Sequence, residues 1–172
     1  MGPEQSPGGA TEGIADEPLQ HALRIAYSFL NKRERATAEV DRRLQREGFS
    51  LETITQTLAL LHDEGTLDDH RYARLFTDDK RTLEGWGSER IRRVLVQRGI
   101  DPDTVAAAVD ASRGEGESSS EGERERALDV LQRRFPERPR NRRDRDRALG
   151  VLLRKGYEPE LAVEALSAYS RA

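Results

Sequence analysis

Between His62 and His70 the chain reads His-Asp-Glu-Gly-Thr-Leu-Asp-Asp-His, which places two imidazoles and four carboxylates within nine residues. Nitrogen and oxygen donors at that density could hold a transition metal. The same residues read more completely as punctuation. His62–Glu64 end a helix, Gly65 caps it, Leu67 is an apolar anchor, and Asp68 or Asp69 caps the next helix. No metal site is therefore assigned. Gly85-Trp86-Gly87 has neither a following Gly-Lys nor a preceding strand, so it is not a phosphate-binding loop. His21 has no nucleophile or paired acid near it in sequence, which leaves it without general-base chemistry. No catalytic residue and no cofactor site are expected. The single Trp, Trp86, is expected to plug a corner between two helices, its flanking glycines permitting the turn, rather than to anchor a partner.

The basic side chains are the better candidates. Of the 29 basic residues only Lys32, Lys80 and Lys155 are lysines, and the rest are arginines, which bind carboxylate or phosphate in bidentate fashion. Arg90, Arg93 and Arg98 fall on or beside one helical face, with Ile91, Val94 and Leu95 on the other. Arg42, Arg43 and Arg46 occupy the corresponding stretch upstream, and Arg143, Arg145, Arg147 and Arg154 the one downstream. These ten arginines are the expected partner-binding residues. For any one of them a solvated face balanced by nearby carboxylates is the simpler reading. As a set they suit the surface of an array read along its length.

The elements that carry them repeat. Gly48, Gly99 and Gly156 each follow a basic, apolar helix and precede an apolar residue and a fresh helix start. Four residues before each Gly stand Leu44, Leu95 and Leu152, and eight before stand Val40, Ile91 and Ala148. Six after come Ile54, Val105 and Ala162, and ten after come Leu58, Val109 and Leu166. Steps of four keep these side chains on one helical face, so each Gly separates two amphipathic helices. Gly suits the left-handed position beyond a helix end, where a side chain would clash. Intervals of 51 and 57 residues between glycines fit three helices per unit.

Composition agrees. Charged residues make up 35% of the 172, aromatics 5%, and mean hydropathy is −0.82. This profile fits an array in which each unit buries one stripe against its neighbours. Cysteine is absent, which excludes disulfides and thiolate metal sites. No apolar run approaches the roughly 18 residues that span a bilayer, and the N-terminus lacks a secretory pattern. A cytoplasmic monomer without membrane contact is expected. The net charge of −3 is unevenly spread: residues 124–155 carry twelve basic side chains against five acidic ones, while residues 1–20 carry four acidic ones and no Lys or Arg.

The expected organisation is all-α: three tandem three-helix repeats forming an elongated or curved array. A disordered acidic tail covers 1–17, repeat 1 covers 18–67, repeat 2 covers 68–112, a Gly/Ser/Glu linker covers 113–122, and repeat 3 covers 123–172. Within repeat 1 a helix opens at Pro18, with Leu19, Leu23, Ala26, Tyr27 and Leu30 as its stripe. Thr37 caps the second helix, and Leu51, Ile54, Leu58 and Leu61 face inward from the third. Repeat 2 turns Tyr72, Ala73, Leu75 and Phe76 inward, with Ser88 capping its second helix and Asp101-Pro102 opening its third. Repeat 3 has helices around Arg124–Arg134, near Asp144–Lys155 and from Pro159 to about Tyr169.

With the repeats placed, the residues between them resemble those of the RecX family, bacterial regulators of the RecA recombinase. The matching elements are Arg33-Glu34-Arg35 with Glu39-Val40 and Leu44, then Gly65-x-Leu67-Asp68-Asp69-x-Arg71-Tyr72-Ala73-x-x-Phe76. Gly85-Trp86-Gly87-x-x-Arg90-Ile91, Leu95-x-x-Arg98-Gly99-Ile100 and Leu152-Leu153-Arg154-Lys155-Gly156-Tyr157 follow in order. The resemblance spans roughly residues 20–170. It departs at Ala36-Thr37, where the family has a Ser near the helix start, in the long acidic linker, and in the acidic tail. It implies a non-enzymatic regulator, mainly negative, that docks along the RecA–DNA filament and damps strand exchange and ATP turnover, with DNA within or beside the filament as a further contact. The alternative is a helical nucleic-acid-binding protein that acts directly on DNA through its basic third repeat.

Overall fold

The computed structural model describes residues 12–112 and 119–171. Among these residues there is no strand, and nine helices follow one another: α1 Glu12–Leu30, α2 Thr37–Arg46, α3 Leu51–Asp63, α4 Asp69–Thr82, α5 Ser88–Gln97, α6 Pro102–Ala111, α7 Ser119–Arg134, α8 Arg142–Lys155 and α9 Pro159–Arg171. They form three successive three-helix repeats, and the chain is an all-α repeat array. It divides into two compact units, Met1–Asp69 and His70–Ala172. No described helix is long and apolar enough to cross a membrane.

The three glycines end three identical turns. Gly48, Gly99 and Gly156 have φ of 84°, 90° and 86°. In each, the amide after the Gly reaches back to the carbonyl of the Leu four residues before it: Phe49 to Leu44 at 3.4 Å, Ile100 to Leu95 at 3.1 Å and Tyr157 to Leu152 at 3.2 Å. The Gly amides bond the next carbonyl along, on Gln45, Val96 and Leu153, at 2.9–3.0 Å. This double bond pattern satisfies carbonyls that a helix end would otherwise orphan. Leu44, Leu95 and Leu152 are fully buried, as are Val40, Ile91 and Ala148. Turn and core thus share one residue in every repeat.

In the first unit Ala22, Ala26, Val40, Leu44, Ile54, Leu61 and Leu67 form the core between α1, α2 and α3. In the second, repeat 2 buries Tyr72, Ala73, Phe76, Ile91, Leu95, Val105 and Val109. Repeat 3 centres on Ala127, Leu131, Leu152, Ala165 and Leu166, where α7 packs chiefly on α9.

Several local expectations are corrected. Helix α1 begins at Glu12, inside the stretch expected as tail, and Pro18 lies within it. Proline's fixed φ is helical, but at the seventh position of the helix it removes the amide that would bond the Ile14 carbonyl. Residues 1–11 of that tail lie outside the described residues, as do residues 113–118 of the linker. Helix α7 begins at Ser119, upstream of the expected repeat boundary, with Gly122 buried and Glu123 held by hydrogen bonds to Ser88. Leu51 is 77% exposed and Leu75 47% exposed, while Thr57, Thr77 and Arg81 take inward positions. Thr57 and Thr77 can do so because each hydroxyl donates to the carbonyl four residues back, at 2.7 and 2.8 Å.

Candidate partner-binding surfaces

Neither Thr37 nor Ser88 caps its helix as expected. The cap positions are Ala36 and Gly87, which have no side-chain acceptor. An incoming carboxylate does the work instead. Asp69 Oδ1, at the first residue of α4, accepts from the Thr37 amide at 2.8 Å, and Glu123 Oε1 on α7 accepts from the Ser88 amide at 2.7 Å. Thr37 and Ser88 stand at the same distance before Gly48 and Gly99, so the two contacts are one device. A carboxylate suits the positive end of a helix dipole.

This device also absorbs the His/Asp/Glu cluster. His62 Nδ1 lies 3.1 Å from the Leu67 carbonyl and Nε2 lies 3.2 Å from Thr37 Oγ1. Glu64 accepts from the Tyr27 hydroxyl. Among the described residues these groups do not converge on a metal position.

Around Ser88 the second unit carries a buried polar hub. The Ser88 hydroxyl donates to Glu123 Oε2 at 2.6 Å and accepts from Arg81 Nη2 at 3.0 Å. Arg81 Nη1 also donates to the carbonyls of Val109 and Ser112, at 3.2 and 2.8 Å. Beside the hub, backbones meet. The Gly87 amide donates to the Lys155 carbonyl at 2.8 Å, and the Glu89 amide to the Gly156 carbonyl at 3.2 Å. A Cβ on Gly87 would stand 2.6 Å from the Gly156 carbonyl carbon, and one on Gly156 would stand 2.5 Å from the Arg90 nitrogen. The Tyr157 hydroxyl donates to the Gly85 carbonyl at 3.2 Å, and burial pushes its phenol well above the ordinary 10.0. Lys155 donates to the Glu84 carbonyl, and desolvation, with Arg90 adding, lowers its pKa.

Trp86 fills this corner. It is half-buried, its ring edge-on to Phe76 at 6.1 Å, with the Arg90 guanidinium 3.8 Å from its centroid. Lys80 bonds Glu84 and holds that carboxyl below the usual range, with the Trp86 indole contributing.

The ten arginines divide by surroundings. Arg90 is stacked on Trp86 and donates to the Arg154 carbonyl at 3.1 Å. Arg98 lies 4.7 Å over Phe76 and donates to the Tyr72 hydroxyl. Arg43 pairs with Glu47 at 2.6 Å. Arg42 and Arg46 are exposed, but each turns its Nε back to its own helix, to the Ala38 and Arg42 carbonyls. Arg93, Arg143, Arg145, Arg147 and Arg154 are exposed, and none of these five side chains has a hydrogen bond or ion pair among the described residues. Arg90 and Arg98 thus brace aromatics within repeat 2, while Arg93 stands in solvent.

Sequence reasoning missed Asp69 and Glu123 as partners of a preceding helix, and Arg81 as a buried hub. It also passed over Arg134, Arg138 and Arg140. These line a cavity of about 500 Å³ with Glu137, Asp144 and Arg147, between the end of α7 and the start of α8. The signal available for the last group was the local excess of positive charge over 124–155.

Comparison with known proteins places the chain. The family description "RecX, first three-helix domain" matches residues 22–61, and "RecX, second three-helix domain" matches 68–109. The chain is 33% identical over 142 residues to Regulatory protein RecX of Xanthomonas campestris pv. campestris (strain B100), covering 82% of this chain and 80% of that protein. It is 34% identical over 155 residues to Regulatory protein RecX of Pseudomonas putida (strain GB-1), covering 90% and 94%. The crystal structure of RecX from Lactobacillus salivarius superposes with a TM-score of 0.76 at 17% identity, over 91% of this chain and 99% of that one. The chain belongs to the RecX family.

Proposed function

We propose that this protein is a mainly negative regulator of the RecA recombinase that binds the RecA–DNA filament and damps its ATP turnover and strand exchange. Family membership carries the reading, because the curated relatives are named as regulatory proteins. The side chains support it. Arg93, Arg143, Arg145, Arg147 and Arg154 extend into solvent without internal partners, as contacts to a large anionic assembly require. The protein acts as a cytoplasmic monomer, through binding alone and without a catalytic residue or cofactor of its own.

The test is ATP hydrolysis by RecA on single-stranded DNA as this protein is added. Hydrolysis falls with a saturable dependence on its concentration. Reversing Arg93, Arg143 and Arg154 to Glu shifts that dependence to higher concentration at unchanged helicity, and added salt does the same. Arg98→Gln behaves differently: it lowers the melting temperature by removing the cover of Phe76 while leaving the inhibition of the folded protein intact. Undiminished hydrolysis in the presence of folded protein would overturn the proposal.

A further inference from the structure

We infer that the cavity between α7 and α8 is a binding site for the phosphodiester backbone of DNA. Residues 133–147 hold eight arginines against three carboxylates. Among the described residues two of the eight are paired: Arg133 with Asp129 at 2.9 Å, and Arg142 weakly with Asp146 at 3.9 Å. Arg138, Arg140, Arg143, Arg145 and Arg147 are exposed and make no hydrogen bond or ion pair among the described residues. In repeats 1 and 2 the corresponding cations other than Arg93 stack on rings, pair with carboxylates or bond their own helix. A cluster of like charges left without partners stores repulsion, which an anionic ligand relieves.

The loop that presents Arg138 and Arg140 is held in place before any ligand arrives. Its first carbonyl, on Phe135, accepts from the Tyr169 hydroxyl. Pro139 is buried between the two arginines, and Asn141 caps α8 through a 2.9 Å bond from the Asp144 amide. The two prolines, Pro136 and Pro139, fix their φ angles, so little loop freedom remains to be lost on binding. Against four arginines the cavity sets only Glu137 and Asp144.

The composition of the rim favours nucleic acid over an acidic protein surface. Protein interfaces are anchored by aromatic and large apolar side chains at their centre. The apolar part of the lining is Phe135, which packs against the core of repeat 3, with Pro136 and Pro139; none of the large exposed apolar residues (Leu51, Leu60, Leu75, Leu83, Val96, Leu153 and Val163) lines this cavity. Arginine on a fixed backbone, with the one lining aromatic, Phe135, packed against the core, suits sequence-independent contact with phosphates, which positions a partner without reading bases. The inference deepens the filament reading by assigning a DNA-facing contact, and its test contains no recombinase, so the two stand or fall separately.

The experiment is fluorescence anisotropy of a labelled oligothymidine with the full chain across a series of salt concentrations. The parent binds with an affinity that falls steeply with salt. The triple variant Arg138→Gln, Arg140→Gln, Arg147→Gln removes three phosphate contacts, which lowers the log–log salt slope by about 2 and weakens binding at least tenfold at low salt. Helicity stays the same, because these exposed side chains make no hydrogen bond or ion pair among the described residues. The matched triple in the first unit, Arg24→Gln, Lys32→Gln, Arg33→Gln, changes three exposed cations and keeps the parental slope. An unchanged slope in the third-repeat triple, or an equal loss in the first-unit triple, overturns the inference. So does a parent chain that binds poly-glutamate through these arginines but shows no salt-dependent affinity for the oligonucleotide.

Discussion

Gly87→Ala should destabilise this protein although alanine leaves the unfolded chain less freedom than glycine, and the size of that effect tests the close backbone approach within the second unit. At φ −77° and ψ 163° the Gly87 backbone is one that alanine adopts freely. With open space around it, the change would gain roughly 0.4–1 kcal/mol through the unfolded chain, offset by alanine's poorer fit to the cap position. Here the new methyl would meet the Gly156 carbonyl and stand 2.7 Å from the Tyr157 nitrogen. These are backbone atoms and cannot swing aside. Overpacking of this kind costs about 1–3 kcal/mol. Separating the strands of chain also weakens the 2.8 Å and 3.2 Å amide bonds from Gly87 and Glu89, at about 0.5–1.5 kcal/mol each. The net expectation is a loss of about 2–4 kcal/mol. Gly48→Ala is the control: its φ of +84° strains alanine by about 1–2 kcal/mol, but nothing lies within 4 Å of the added carbon. Gly156→Ala carries both penalties and should be the worst of the three. Urea unfolding followed by far-UV circular dichroism gives the order, and amide exchange at Gly87 and Glu89 shows whether the contact opened. A Gly87→Ala protein as stable as its parent, or a Gly48→Ala loss equal to that of Gly156→Ala, would refute the reasoning.

The other expectations follow from the same contacts. Leu44→Ala, Leu95→Ala and Leu152→Ala each remove a fully buried side chain and should each cost about 2–5 kcal/mol in chemical unfolding; three unaffected midpoints would break the repeat alignment. Glu123→Gln and Asp69→Asn keep the shape of the borrowed cap and remove its charge, so each should lose about 1–2 kcal/mol, with Ala variants losing more. If neither Gln nor Asn changes stability, the charge has no part in capping α5 or α2. Tyr157 is held protonated in the fold, its pKa raised above 10.0 by burial. Its contribution is complete below the unfolded value and is lost as pH rises above about 10 through the folded one. Tyr157→Phe should flatten that alkaline decline while costing about 1 kcal/mol at neutral pH for the bond to Gly85; an identical decline in the variant would show that other groups cause it.

What could be read from the chain was local and periodic. The turn glycines announce themselves because a left-handed residue, a buried Leu four before it and an apolar residue after it all fall within a few positions. The errors came where a long-range partner overrode a local preference. Thr37 and Ser88 look like caps, but each sits one residue inside its helix, because a carboxylate 32 or 35 residues away occupies the amide. Leu75 belongs to an apolar run yet points out, since Thr77 and Arg81 of the same helix have buried polar partners. Arg90 and Arg98 were legible as cations but not as aromatic braces, because the rings they cover lie on other elements or across a turn. The exposed arginines of repeat 3 could be picked out by charge alone, since nothing in the fold reassigns them.

The capping arrangement gives a physical reason for this division of labour. Helices α2 and α5 begin behind Ala36 and Gly87, which supply no acceptor, so each leaves a helix-start amide to be met by a carboxylate from the helix that opens the next repeat. Helix α8 begins behind Asn141, which caps its own helix through the Asp144 amide. It needs no borrowed carboxylate, and its corner lacks the paired glycines that let backbones meet at Gly87 and Gly156. A corner that is complete in itself can carry unpaired charge without cost to the packing of the repeat. Arg138, Arg140 and Arg147 stand there, on the one repeat whose second helix needs nothing from a following one. The sequence difference between Gly87 and Asn141 thus separates a corner built to join repeats from a corner available to a ligand.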